Sequence, residues 1–460
     1  MDFYLGIDFG TSGVRGVVIN HEACTQAEIK YPWPDEAVSD LATVWETALF
    51  TLLAQIPEKL RREVKAIAIN GTSSTVLLTD AAGKPVDAPL LYNDARGAVV
   101  LEQLRNIAPA HHNVLSATSS LAKLLWMMQQ PSFSQARYFL HQADWLGFLL
   151  HGYLGISDYH NALKLGYDVE QLKYPAWLEK LQLPIQLPKV LTPGTPIAKL
   201  RPEIATQFNF PDDCLVCAGT TDSIAAFLAS GAKSPGEAVT SLGSTLVVKL
   251  LSRTRVEDSR YGIYSHRLGN LWLTGGASNT GGAVLKQFFS AAELERLSSQ
   301  IDVTTASGLD YYPLLRPGDR FPINDPDLPP RLEPRPDDPV AFLHGLLEGM
   351  ARIEGRGYGL LQEMGADTLT RVYTAGGGAG NSAWCAIREG VLRVSVVSSV
   401  HTEAAFGSAL LALQGWKKRT AKSPSTPREE LGGEDNSFDA VFEEGDVKVD
   451  EEGEWVFGHF

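Results

Sequence analysis

A chain of 460 residues is longer than one hydrophobic core serves, so two domains are expected. Apolar residues make up 44% and charged residues 20%, which excludes a disordered or fibrous chain. The net charge of −14 argues against a nucleic-acid surface, and no apolar run is long enough to span a membrane, so neither partner is expected.

The chain opens directly on an apolar run, so no cleaved leader is expected. Four cysteines in this length fit a reducing cytoplasm. Cys214-x-x-Cys217 has metal-ligand spacing but no second pair, and it lies in an apolar run. Buried strand cysteines are the expectation there.

Residues 4–19 place two β-prone runs around a polar, glycine-rich centre, which reads as a β-hairpin. Gly10 and Gly13 permit backbone torsions closed to other residues. Thr11 and Ser12 add hydroxyls beside the exposed N–H groups of the turn, a donor set suited to polyphosphate. Asp8 ends the first strand. Its carboxylate would repel phosphate unless a divalent cation lay between them, and Mg²⁺ takes one or two carboxylates plus phosphate oxygens.

Apolar residues at helical spacing (Val38, Leu41, Val44, Leu49, Leu52, Leu53) predict a helix over 38–56. A β-run over 64–70 then stops at Gly71-Thr72-Ser73-Ser74. Strand, helix, strand points to an α/β sheet with ligands at the strand ends, where these hydroxyls could read a sugar. A second hairpin is expected over 76–86 and helices over 98–151. His111-His112 lacks a partner at metal spacing and is expected to be solvated. The segment 142–146 is given a structural role.

The run Cys214 to Ser223 ends a strand in Gly219-Thr220-Thr221-Asp222 and leads into a helix. Strand, Leu242-Gly243-Ser244-Thr245 and strand follow, echoing the start of the chain. Two phosphate-type hairpins thus head two halves of the sequence. Glycines cluster again at 275–282, including Gly276, and in Gly376-Gly377-Gly378-Ala379-Gly380-Asn381, where a strand enters a helix. Such a turn lets a flat ligand approach the backbone beside a helix N-terminus. Residues 313–339 read as an ordered surface loop, 340–364 as a helix, and Glu403–Ala412 as a last helix. From Glu429 to Glu454 twelve acidic residues face one lysine, a solvated tail by composition.

Asp8-Phe9-Gly10-Thr11-Ser12 with Arg15 resembles the first phosphate motif of the actin-like ATPase superfamily, in the version of the FGGY carbohydrate kinases. Gly376 to Ser382 resembles the superfamily's adenosine motif, with Asn381 where serine is usual. Leu91-Tyr92-Asn93-Asp94-Ala95-Arg96 resembles the segment flanking the sugar cleft, making Asn93, Asp94 and Arg96 second-tier candidates. A helix-start cap is the competing reading of Asp94. No Gly-x-x-x-x-Gly-Lys-Ser/Thr run is present, so this is not a P-loop enzyme.

The resemblance spans roughly residues 4–415 and implies a duplicated, ribonuclease H-like α/β fold with the active site in the cleft between two domains. The expected divisions are 1–229 for sugar and phosphate, 230–401 for nucleotide, 402–416 for a helix returning to the first domain, and 417–460 for the tail. It implies ATP-dependent phosphorylation of a sugar hydroxyl with ATP and Mg²⁺. Asp222 is implied as general base, Asp8 as metal and substrate residue, and Thr11 as a catalytic phosphate contact. Ser12, Gly13, Val14, Arg15, Gly243, Ser244, Thr245, Gly276, Gly377, Gly378 and Asn381 are the implied nucleotide residues. Asp8, Ser73, Ser74 and Asp222 are the implied sugar residues. Xylulose kinases typically carry Gly-Gln-Met-His where this chain has Gly71-Thr72-Ser73-Ser74. The pattern is most similar to cyanobacterial and plant kinases of D-ribulose, so a ketopentose is the expected partner. A kinase of another ketose or polyol, such as xylulose or glycerol, and a sugar-independent actin-like ATPase are the alternatives.

Overall fold

The computed structural model describes residues 1–33 and 40–421. The first sheet has the spatial order β3-β2-β1-β4-β10-β9. It is built from β1 (Phe3–Gly10), β2 (Gly13–Asn20), β3 (Thr25–Pro32), β4 (Val64–Gly71), β9 (Pro196–Lys199) and β10 (Leu215–Thr221). Between β4 and β9, two small sheets pair β5 (Val76–Thr79) with β6 (Tyr138–His141) and β7 (Ile156–Asp158) with β8 (Lys189–Leu191). The second large sheet has the order β13-β14-β12-β11-β15-β16. Its strands are β11 (Glu237–Leu242), β12 (Leu246–Ser252), β13 (Tyr264–Leu268), β14 (Leu271–Ser278), β15 (Arg371–Ala375) and β16 (Ser395–Ser398).

The two sheets repeat one topology. An antiparallel hairpin, β1-β2 or β11-β12, is followed on its other side by parallel strands, β4 and β10 or β15 and β16. β3 and β14 add the third antiparallel strand on the hairpin side of each sheet, and β13 extends the second sheet beyond β14. Here the duplication expected from the two hairpins becomes a mixed α/β architecture of two sheet-bearing domains.

β1 is buried on both faces, which explains its near-continuous apolar sequence. The Leu41–Gln55 helix covers one face, and Leu49, Leu52 and Leu53 join Leu5, Ile7 and Val18 in a core. The Ala404–Ala421 helix covers the other. That helix comes so close that a Cβ on Gly6 would lie 1.9 Å from the Ala405 carbonyl oxygen. It also seats Gly407 on the Asp222–Ala229 helix, where a Cβ would lie 1.9 Å from the Ala225 oxygen. The last helix therefore returns to the first sheet and continues to Ala421, past Trp416. The second core gathers Val248, Leu250, Phe342, Leu346, Met350 and Trp384 under the Pro339–Glu363 helix.

Several sequence expectations change. The helix expected over 38–56 spans Leu41–Gln55, capped by Asp40, and Val38 lies outside the described residues. Residues 98–151 are not all helical, because β6 lies at Tyr138–His141. β5 pairs with β6, so the expected 76–86 hairpin is reduced to bridging bonds such as Val86 N–H to the Leu78 oxygen. Aromatic packing overrides solvation at His112, whose ring lies edge-on to Trp177 at 5.4 Å. Cys214 and Cys217 are buried thiols, as their apolar run predicts. The tail from residue 422 lies outside the described residues.

Candidate active site

The parallel strands β1, β4 and β10 end side by side. Asp8 is in register with Asn70, and Asn70 with Thr220. With neighbouring strands about 4.8 Å apart, Asp8 and the Asp222 segment face each other across roughly 10 Å at the carboxyl edge of the sheet. This is where open α/β sheets bind ligands. Beyond the strand ends stand the turn Thr11-Ser12, the loop Thr72-Ser73-Ser74 and the helix begun by Asp222.

Four side-chain atoms left without a protein partner lie at this edge: Asp8 Oδ1, Asn70 Oδ1, Ser74 Oγ and Thr221 Oγ1, all buried. Buried polar groups are normally satisfied, so a cluster of exceptions marks a place that a ligand completes. Burial pushes the Asp8 carboxyl up to about 7, helped by the Asp222 charge and Glu403 and opposed by Arg15. Burial likewise raises Asp222, against the Ser223 N–H, Lys249, Lys164 and the Ser73 N–H. Two carboxylates facing one cleft with raised pKa values are a functional signature. The Ser73 backbone interaction also puts the suspected sugar loop directly beside the suspected base.

The loop is held from behind. The Gln142 side-chain oxygen accepts from the Thr72 N–H at 3.0 Å, and Lys123 donates to the carbonyls of Ser74 (2.7 Å) and Leu91 (2.6 Å). Ser74 itself is buried at φ +63°. Lys123 therefore ties the Thr72–Ser74 loop to the Leu91–Asp94 segment. A cavity of about 330 Å³ opens nearby, lined by Thr11, Thr72, Tyr92, Asn93 and Gln142, with Trp33 in its wall. Asp94 accepts from the Arg96 N–H and pairs with its guanidinium, one residue before Ala95, which caps the Arg96–Val100 turn without a side-chain bond.

In the first phosphate turn Thr11 and Ser12 are exposed, and the Arg15 guanidinium reaches Ser12 Oγ at 3.3 Å and Glu403 at 3.3 Å. Gly13 is required: its φ is +150° and a Cβ would lie 2.5 Å from the Tyr31 oxygen. Val14 is fully buried, so it can offer a ligand only backbone. Across the second domain, the exposed turn Gly243-Ser244-Thr245 packs on Gly281-Gly282, whose Cβ atoms would strike Thr245 and Gly243. Gly377 has open space around it, which suits a flat ligand.

Three expected nucleotide residues do other work in the structure. Gly276 lies within β14 and is buried, with a Cβ position 2.4 Å from the Phe321 ring, so it is a packing glycine. Gly378 packs beneath Leu242 and Trp384. Asn381 caps the Ser382–Leu392 helix by accepting from the Trp384 N–H at 2.9 Å, and its amide donates to Ser298 Oγ at 2.8 Å. Spacing alone could not separate these roles, because glycines that admit a ligand and glycines that admit a neighbouring ring look identical in sequence.

The sequence reading missed Lys249, Lys164 and His160, which surround the Asp222 segment from chain positions with no motif spacing. Asp8 Oδ1 offers a free carboxylate oxygen, so the residues present fit a hydrated Mg²⁺ between Asp8 and phosphate. No group of three or more metal-ligating side chains exists among the described residues. No helix among them is long and apolar enough to cross a membrane.

Comparison with known proteins agrees with this geometry. The chain is 23% identical over 452 residues to the xylulose kinase of Bacillus subtilis, covering 90% of this chain and 89% of that protein. Its fold matches a xyloylose kinase from Brucella ovis with a TM-score of 0.78 at 23% identity, over 93% and 94% of the two chains. It matches Plasmodium falciparum glycerol kinase, solved with ADP, at 0.76 and 16% identity, over 91% and 90%. These likenesses establish a two-domain actin-like ATPase fold. Residues 3–229 match the N-terminal domain of the FGGY family of carbohydrate kinases and residues 238–416 its C-terminal domain. These matches span most of the described residues, and the chain belongs to the FGGY family of carbohydrate kinases.

Proposed function

We propose that this kinase phosphorylates a ketopentose, D-ribulose, to D-ribulose 5-phosphate with ATP as donor, and that Asp222 is its general base. Asp222 accepts the proton of the sugar hydroxyl while that oxygen takes the γ-phosphoryl group, and ADP leaves. Such a base contributes about 10²–10⁴-fold, and a raised pKa brings it closer to the operating pH. The hydroxyls of the exposed residues Thr11, Ser12, Ser244 and Thr245 bind the phosphates, and Gly377 leaves room for the adenosine. When bound, a divalent cation neutralises phosphate charge beside Asp8. Ser73 and Ser74 read the sugar hydroxyls.

The observation carrying this reading is the cluster of buried, unpartnered polar atoms, Asp8 Oδ1, Asn70 Oδ1, Ser74 Oγ and Thr221 Oγ1, at the sheet edge where Asp222 begins its helix. The small residues Thr72-Ser73-Ser74, where xylulose kinases typically carry Gln-Met-His, favour D-ribulose over D-xylulose. The names of the relatives favour xylulose, which is the second reading. Asp222→Ala should lose sugar phosphorylation while keeping nucleotide binding, read by ADP release and by nucleotide titration. Undiminished turnover in this variant would remove Asp222 from the mechanism.

A further inference from the structure

The segment Thr220-Thr221-Asp222-Ser223 is held at both ends, at its start by His160 of the first domain, itself bonded to the second, and at its end by Lys249 of the second domain. At its start, His160 Nδ1 lies 2.7 Å from Thr220 Oγ1, and His160 Nε2 lies 2.6 Å from the Arg267 carbonyl oxygen on β13. A carbonyl only accepts, so Nε2 carries the proton and Nδ1 accepts from the Thr220 hydroxyl. The ring is buried and neutral, its pKa pushed down to about 3 chiefly by burial. At the segment's end, Lys249 on β12 donates to the Ser223 carbonyl at 2.8 Å. Arg267 itself donates to the Val169 and Glu170 carbonyls, which fixes β13 against the first domain.

We propose that Lys249 of the second domain and His160 of the first, which links Thr220 to the second domain's Arg267 carbonyl, are positioning residues that hold and tune the Asp222 segment, Lys249 by charge and His160 by geometry. The inference rests on the reading of Asp222 as general base.

The charged groups facing Asp222 are few. Lys249 comes from β12, Lys164 from the turn after the Tyr159–Ala162 helix, and Asp8 from β1, the last itself balanced by Arg15 and Glu403. His160 and His266 also adjoin Lys249, and burial holds both neutral. Lys249 is therefore one of two cations that favour the ionised base, and the one hydrogen-bonded to the base's own helix turn. Burial lowers Lys249 to about 8 and Asp222 opposes this, so the two groups stabilise each other's charged forms.

The test is a pH profile of sugar-dependent ADP release for the full chain and for Lys249→Gln, Lys249→Arg, His160→Leu and Asp222→Ala. Lys249→Gln keeps a donor for the Ser223 carbonyl and removes the charge. Its acid limb should move to higher pH, so its loss is steepest at the acid end, about tenfold there, and narrows as pH rises. Lys249→Arg should restore the parent profile. His160→Leu should lower kcat evenly across pH, and both Lys249→Gln and His160→Leu should leave the KM for ATP unchanged. An unmoved acid limb in Lys249→Gln, with Asp222→Ala inactive, would overturn the proposal and leave Asp222 as base. An active Asp222→Ala would overturn the base and this proposal together.

Discussion

Asp8 should make the protein less stable at neutral pH than it would be without the charge. Its carboxyl is buried, and burial, the Asp222 charge and Glu403 raise its pKa from 3.8 to about 7 against the pull of Arg15. In the unfolded chain it ionises near 3.8. Between these values the unfolded state has released a proton that the folded state keeps, so stability falls as pH rises and levels off above about 7. A rise of roughly three units corresponds to about 4 kcal/mol, an upper figure because a buried site relaxes around a charge. Asp8→Asn removes the ionisation while keeping the side-chain shape. The variant should therefore be more stable than the parent at pH 8, with a gap wider than at pH 5 by up to about 3 kcal/mol. Urea denaturation of both proteins at the two pH values measures this directly. The variant should also lose most sugar-dependent ADP release, because the same carboxylate is proposed to serve the phosphate end of the cleft. An equal gap at pH 5 and pH 8 would refute the reasoning, since the stability difference would then not follow the titration of Asp8.

Two further predictions concern packing and loop placement. Gly6→Ala forces a Cβ to within 1.9 Å of the Ala405 oxygen and 2.2 Å of the Ala409 nitrogen, so the last helix must move off the sheet. A loss of about 3 kcal/mol is expected in denaturant unfolding, the upper end for overpacking because backbone rather than a flexible side chain is struck. Lys123→Met frees the Ser74 and Leu91 carbonyls from their shared donor, each worth about 1–3 kcal/mol when left unpaired. The KM for the sugar should rise while the KM for ATP stays constant, as measured by initial rates at varied concentrations of each substrate.

The parts of this fold legible in sequence are those fixed by local chemistry. Asp8 to Arg15 announces its hairpin through glycines between β-prone runs, and the chain repeats that device at Gly243. Asp222 stands out because an apolar strand ends at a carboxylate that begins a helix. The residues that finish the site are not legible in this way. His160 meets Thr220 through long-range packing within the first domain, and the His160–Arg267 and Lys249–Ser223 contacts come from approach between separate domains. Lys123 sits in an apolar helical run, and nothing in its spacing reveals that its ammonium reaches carbonyls of two other segments. At Gly276 and Asn381, motif-like residues also serve ring packing and helix capping, which their spacing does not reveal. Gln142 combines both lessons, since its assigned structural role turns out to hold the sugar loop through Thr72.

The central claim is sugar-dependent phosphoryl transfer with D-ribulose as acceptor. It is tested most directly by coupled ADP release with Mg²⁺ and ATP, comparing no sugar, D-ribulose, L-ribulose, D-xylulose and glycerol. D-ribulose should stimulate release strongly and the others weakly. Preferential stimulation by D-xylulose would contradict the reading of the Ser73 loop, and ADP release unaltered by any sugar would contradict the reaction itself.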